Sequence, residues 1–231
     1  MSDLRKTPMA PSGETDVSAF LKAVNDLAPA DAKAQGRLIF AMDATMSRQP
    51  TWDRAVSLQG QMFLSTRKAG QLQVQLVYFR GFNECRASKF VEDPETLANL
   101  MTKVDCRGGN TQISRVLSHA KAEAAKGPVK ALIFVGDACE EGIDGLCQQA
   151  GEIGLLGVPL FMFQEGNDAT AATAFKQIAK LTRGAYYKLD DKAPQVLAEL
   201  LGAVAAYATG GRVALESRTD QAARALLQQM K

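Results

Sequence analysis

Three stretches of the chain are short, almost unbroken apolar runs: Leu38 to Met42 (L-I-F-A-M), Val129 to Val135 (V-K-A-L-I-F-V) and Val158 to Phe163 (V-P-L-F-M-F). A strand with one wet face alternates apolar and polar residues, so uninterrupted runs of this length predict strands covered on both faces of a parallel sheet. Gln71 to Phe79 alternates at its start, which places a strand nearer the sheet edge. A short strand at Ala87 to Val91 is expected to pair with it antiparallel, and Tyr186-Tyr187 after Gly184 reads as a last short strand.

Between these runs the apolar spacing changes to three and four, the period of a helix with one buried face. Val17, Phe20, Leu21, Val24 and Leu27 mark a helix ending near Pro29, and Trp52, Ala55, Val56, Gln59, Met62 and Phe63 mark another up to about Lys68. Helices also follow from Asp93-Pro94 through Met101, from Thr111 through Ala120, from Gly142 to Leu156, through Phe175, Ile178, Ala179 and Thr182, and from Val196 to Val204. Strands alternating with helices predict an α/β fold: a doubly wound, mostly parallel sheet with helices on both faces and one antiparallel edge strand. The expected organisation is a disordered segment 1–15, an N-terminal helix over 16–35, the α/β domain over 36–208 and a helical tail over 209–231. The tail's apolar stripe is weak, so it is expected to be solvated rather than to bind or dimerise.

In doubly wound sheets, ligands sit beyond the carboxyl ends of the strands, where the strand order reverses. The first apolar run ends on Asp43, followed by Thr45 and Ser47 at alternate positions; read as extended chain, these three point the same way. The second ends on Gly136-Asp137, and Thr111 follows the Gly108-Gly109 loop at a helix start. Two carboxylates and three hydroxyls converging there make an oxygen site for a hard cation. Mg²⁺ takes near-octahedral oxygen at about 2.0–2.1 Å and is usually held by one or two carboxylates with several waters. Neutral hydroxyls leave the ion electrophilic, ready to accept a carboxylate from outside.

The pattern resembles a von Willebrand factor type A (VWA) domain with its metal-ion-dependent adhesion site (MIDAS). That site reads D-x-S-x-S, then a Thr after a Gly-rich loop, then an Asp ending the fourth strand. Asp43, Thr45 and Ser47, then Thr111 in G-G-N-T, then Asp137 match it, with Thr45 keeping the first serine's hydroxyl. Ile178 to Tyr187 (I-A-K-L-T-R-G-A-Y-Y) resembles the family's penultimate helix and final strand, and the resemblance spans about residues 36 to 208. It implies a Rossmann-like VWA fold and a non-enzymatic protein-binding module of the bacterial intracellular type. Its cofactor would be Mg²⁺ (or Mn²⁺ or Ca²⁺), and its partner a protein offering Glu or Asp to the metal, such as an ATPase or a multiprotein assembly. The family usually has Gly after the last Asp, whereas Ala138, Cys139, Glu140 and Glu141 follow here. Those acids are expected to strengthen ion binding and to discourage an acidic partner.

A second class also places Asp after buried strands. In a haloacid-dehalogenase-like phosphatase, Asp43 would be the nucleophile, Asp137 a Mg²⁺ ligand, Thr111 a phosphate contact and Glu141 or Asp144 a further acid. That family needs a second carboxylate two residues after the nucleophile, where Thr45 stands. No G-x-x-x-x-G-K-[ST] is present, and no G-x-G-x-x-G follows a strand. The single histidine, His119, lies within a predicted helix, and Trp52 reads as core.

Composition narrows the classes further. The formal charge is +2 from 27 basic and 25 acidic residues scattered along the chain, which gives no nucleic-acid footprint or polybasic membrane patch. The N-terminus M-S-D-L-R-K-T-P carries charge but no apolar core, and no run approaches the roughly 18 apolar residues of a membrane span, so a cytoplasmic location is expected. Cys85, Cys106, Cys139 and Cys147 are widely spaced without C-x-x-C, which predicts reduced thiols.

Overall fold

Successive strand residues point to opposite faces of a sheet, and the three apolar runs use both faces. Leu38, Phe40 and Met42 lie in one buried cluster, Ile39 and Ala41 in the other. The same division separates Ile133 and Val135 from Leu132 and Phe134, and Phe161 and Phe163 from Leu160 and Met162. Such strands have no face to offer to water, so they take the centre of the sheet.

The computed structural model describes residues 36–60, 62, 64, 71–189 and 194–230. The expected segment 1–15, the helix over 16–35 and the end of the helix expected to reach Lys68 lie outside these residues. Strands β1 (Gly36–Asp43), β2 (Leu72–Arg80), β3 (Glu84–Val91), β4 (Ala131–Gly136), β5 (Leu160–Gln164) and β6 (Ala185–Lys188) form one sheet in the order β3-β2-β1-β4-β5-β6. Every pairing is parallel except the β2–β3 hairpin at one edge. Helices α1 (Gln49–Leu58), α2 (Pro94–Met101), α6 (Pro194–Glu216) and α7 (Gln221–Gln229) bury their apolar sides in the first cluster. On the other face α3 (Ile113–Lys126), α4 (Ile143–Leu155) and α5 (Ala169–Leu181) bury theirs in the second. The expected doubly wound α/β fold with one antiparallel edge strand is what the chain adopts.

Helix starts follow local chemistry. Asp93 accepts the Thr96 N–H at 2.7 Å and Asp220 the Ala223 N–H at 2.9 Å, each satisfying an N–H that has no partner inside its helix. Trp52 is 1% exposed with its indole N–H donating to the Met101 carbonyl, which ties α1 to α2.

The C-terminal tail departs from expectation. The helix expected to end near Val204 continues to Glu216, bending at Gly211, whose φ of 64° is a left-handed value that glycine adopts without strain. Helix α7 then packs back, with Ala222, Ala223 and Leu226 buried and Gln229 bonded to both the N–H and the carbonyl of Tyr186 in the edge strand β6. The tail is therefore part of the packed unit, not a solvated appendage. Its stripe looked weak because two of its three buried positions are alanine.

Within residues 195–216 an 18-residue window has a mean hydropathy of 1.2, and the helix has the length to cross a membrane. In the structure Leu200, Leu201 and Val204 of that helix are fully buried in the first core cluster.

Candidate metal centre

From β1 the chain crosses to β2 on one side, and it later returns to β4 on β1's other side, so the strand order reverses between β1 and β4. The carboxyl ends of these two neighbours therefore open a crevice with no crossover above it. Asp43 is the last residue of β1, and Asp137 follows the last residue of β4. The crevice holds a cavity of about 270 Å³ lined by Asp43, Thr45, Ser47, Thr111 and Asp137, with Met46, Gly108, Gly109, Ala138 and Glu140 on its walls. All five residues singled out from sequence spacing are brought together there.

They do not arrive by the expected route. Thr45 is extended, but Met46–Arg48 form a 3-10 turn closed by the Arg48 N–H on the Thr45 carbonyl at 2.9 Å. Ser47 reaches the site by this turn rather than by continuing a strand. Its hydroxyl donates to Asp137 Oδ2 at 3.2 Å and lies 3.4 Å from Thr45 Oγ1, while the Thr45 N–H donates to Asp43 Oδ1 at 2.7 Å. One network thus runs from Asp43 through both hydroxyls to Asp137.

Thr111 is set by the β2–β3 hairpin. Arg80, at the end of β2, donates to the Asp105 carbonyl at 2.9 Å and to the Asp105 carboxylate, and Arg107 N–H bonds the Ala44 carbonyl at 3.0 Å. Asn110 N–H and the Gln112 side chain both donate to the Gly81 carbonyl, at 3.2 and 3.1 Å. The loop lies so close to the hairpin that a Cβ on Gly109 would sit 2.0 Å from the Gly81 oxygen. Gly109→Ala should therefore push the loop carrying Thr111 off the hairpin, at a cost of about 1–3 kcal/mol. The check is a urea melt together with Mn²⁺ calorimetry; unchanged stability and affinity would show that the close approach is not needed.

The acids after Asp137 behave differently from expectation. Glu141 accepts the N–H groups of Ile113 and Ser114, the latter at 3.0 Å, and so caps the first turn of α3. Glu140 exchanges bonds with Thr111: its carboxylate accepts the Thr111 N–H at 2.9 Å, and its own N–H donates to Thr111 Oγ1 at 3.0 Å. Glu141 is thus withdrawn from the crevice, and Glu140 stays on its rim with one oxygen engaged. Cys106 and Cys139 are buried, and burial pushes both thiols above their ordinary range, the first to about 11. His119 bonds the Gln75 side chain at 2.9 Å and does not line the crevice.

Asp43 carries the electrostatics. It is 1% exposed, and burial raises its pKa to about 6; the Thr45 N–H and hydroxyl oppose this, Asp137 adds to it and Arg48 lowers it. A carboxylate in this position is held at neutral pH only at a cost, which a nearby cation offsets. Among the described residues no three His, Cys, Asp or Glu side chains form a metal-ligand group. The crevice instead offers two carboxylates and three hydroxyls, and this all-oxygen set fits a hard divalent cation.

No family model and no curated protein matches the chain. Solved structures do. A von Willebrand factor type A protein from Catenulispora acidiphila superposes with a TM-score of 0.62 at 16% identity, over 76% of this chain and 43% of that one. The chain has the VWA fold. Proximal thread matrix protein 1 from the mussel byssus, solved with zinc in its MIDAS motif, gives a TM-score of 0.61 at 18% identity over 83% of this chain and 52% of that one. The SpRpn10 VWA domain gives 0.54 at 11% identity, over 70% of this chain and 92% of the domain. The chain thus spans about half the length of the first two.

Within this VWA fold, two residues that sequence spacing did not single out stand behind the crevice. Arg48 is 4% exposed, with Nη1 3.7 Å from Asp137 Oδ2 and Nη2 2.9 Å from Glu165 Oε2. Glu165, which follows the last residue of β5, is 5% exposed. An acid just past a third buried strand was the available signal, since Asp43 and Asp137 were found at strand ends in the same way.

Proposed function

We propose that the chain is a divalent-cation-dependent protein-binding module, with the ion held by Asp43, Thr45, Ser47, Thr111 and Asp137 and completed by a Glu or Asp of a partner protein. The observation that carries this is the convergence of those five oxygen donors on one cavity around a buried carboxylate whose charge is incompletely offset. When bound, the ion supplies Lewis-acid attraction for an outside carboxylate. The chain's part is to hold the donors in place, with the Ser47 hydroxyl on Asp137 and the Thr45 hydroxyl beside it. Met46, 64% exposed on the cavity wall, gives the partner's acidic residue an apolar neighbour to pack on. The zinc in the mussel protein's MIDAS motif supports a divalent ion. Mg²⁺, Mn²⁺ and Ca²⁺ are the candidates for this all-oxygen set.

The reading is non-enzymatic and cytoplasmic, with an ATPase or multiprotein assembly as the kind of partner. Phosphatase chemistry is disfavoured because Thr45 stands where a second carboxylate is needed; of the two further acids that reading offers, Glu141 is spent on the first turn of α3, which leaves Asp144. The test is a pull-down from lysate in Mg²⁺ or EDTA, with wild type and Asp43→Ala. A partner retained by wild type in Mg²⁺ and lost in the other arms is expected; retention indifferent to both metal and Asp43 would refute the reading.

A further inference from the structure

We infer that Arg48 and Glu165 form a buried charge pair that tunes the cation affinity of the neighbouring crevice through Asp137. The inference rests on the cation reading above and assigns a task to two residues outside its donor set. A guanidinium buried to 4% exposure needs partners for its N–H groups, yet Nε and Nη2 of Arg48 have no well-aligned acceptor. The group is held by charge: Glu165 Oε2 lies 2.9 Å from Nη2, and Asp137 Oδ2 lies 3.7 Å from Nη1. Glu165 is buried too, receives the Thr51 hydroxyl, and has Arg54 Nη1 3.6 Å from its other oxygen.

The balance of these groups decides what a cation meets at the crevice. Asp43, Asp137 and Glu165, with Glu140 on the rim, are set against Arg48 and Arg54, which leaves two net negative charges. Arg48 attracts Asp137 and repels any cation that Asp137 would hold. Glu165, the nearer carboxylate, takes up part of that positive charge. With Glu165 neutralised, the guanidinium faces Asp137 with its closest counter-charge gone, and the crevice loses one of its two net negative charges. Neutralising both restores the original charge balance at Asp137 without leaving Arg48 or Glu165 as an uncompensated buried ion. Neither residue touches the ion; both are positioning residues acting through Asp137.

Groups behind a metal site commonly shift affinity by about 10- to 100-fold. Glu165→Gln should therefore weaken Mn²⁺ binding by about tenfold or more in calorimetry, and Arg48→Gln/Glu165→Gln should return it to within about threefold of wild type. Melting of each variant in EDTA is the second readout. A pair that only supports folding would lower melting temperature in EDTA and leave the Mn²⁺ dissociation constant of the folded protein unmoved. Glu165→Gln binding as wild type does, or a double variant as weak as the single one, overturns the inference while wild-type binding keeps the cation reading. Wild type that binds no Mn²⁺ removes both.

Discussion

Asp43→Asn should melt at a higher temperature than wild type without metal, and should lose all stabilisation by Mg²⁺ or Mn²⁺. The amide keeps an oxygen for the Thr45 N–H, so the local turn survives. What disappears is a buried charge. Folding raises the pKa of this carboxyl from 3.8 to about 6, mainly by desolvation, so the ionised form burdens the folded state above pH 6 by at most about 3 kcal/mol. Because the folded pKa is the higher one, the burden is present in full at neutral pH. It fades as pH falls through about 6 and is gone below 3.8, so the advantage of the Asn variant over metal-free wild type should shrink over that window. In wild type the ion must displace the proton below about 6, and Mn²⁺ affinity should fall about tenfold per pH unit there while staying flat above about 7. Saturating metal, at about 100 times its dissociation constant, should add about 2.7 kcal/mol to wild type. An Asn variant still stabilised by metal would remove Asp43 from the site.

A chain cut after Ala208 should be severely destabilised. The sequence reading places the domain end there, but the cut strips Leu215, Ala222, Ala223, Leu226 and Met230 from the core beside β1 and β6. It also exposes the Tyr186 N–H and carbonyl that Gln229 satisfies. Leu226→Ala alone should cost about 2–5 kcal/mol, and the truncation more than that. Urea unfolding of both against the intact chain is the check; a truncated chain with an unchanged midpoint would show that α7 contributes nothing to the core.

What could be read from sequence follows the strength of local signals. Leu38 to Met42 and Val158 to Phe163 identified the central strands because burial on both faces leaves no polar residue to blur them. Asp43, Thr45, Ser47, Thr111 and Asp137 were legible because strand ends and a Gly-rich loop fix where their side chains meet. Ser47's 3-10 turn was not, since alternate spacing fits both an extended chain and a turn that brings the residue back. Glu141 was misread as a site acid because a charge lining a crevice and a charge capping the helix beside it look alike until the loop's path is known. Arg48 and Glu165 lie 117 positions apart, and a buried ion pair has no periodicity to betray it.

The cap that Glu141 places on α3 has a consequence for control. Free N–H groups at a helix start attract anions on their own account, but here a resident carboxylate takes those of Ile113 and Ser114. Arg48 behind the crevice is buried against Glu165. On the cation reading, the resident ion is then the main attraction for an incoming acid, and occupancy depends jointly on free cation and partner abundance. A drop in free cation would release the partner without any competitor, making the complex a reporter of ionic state as well as of partner supply.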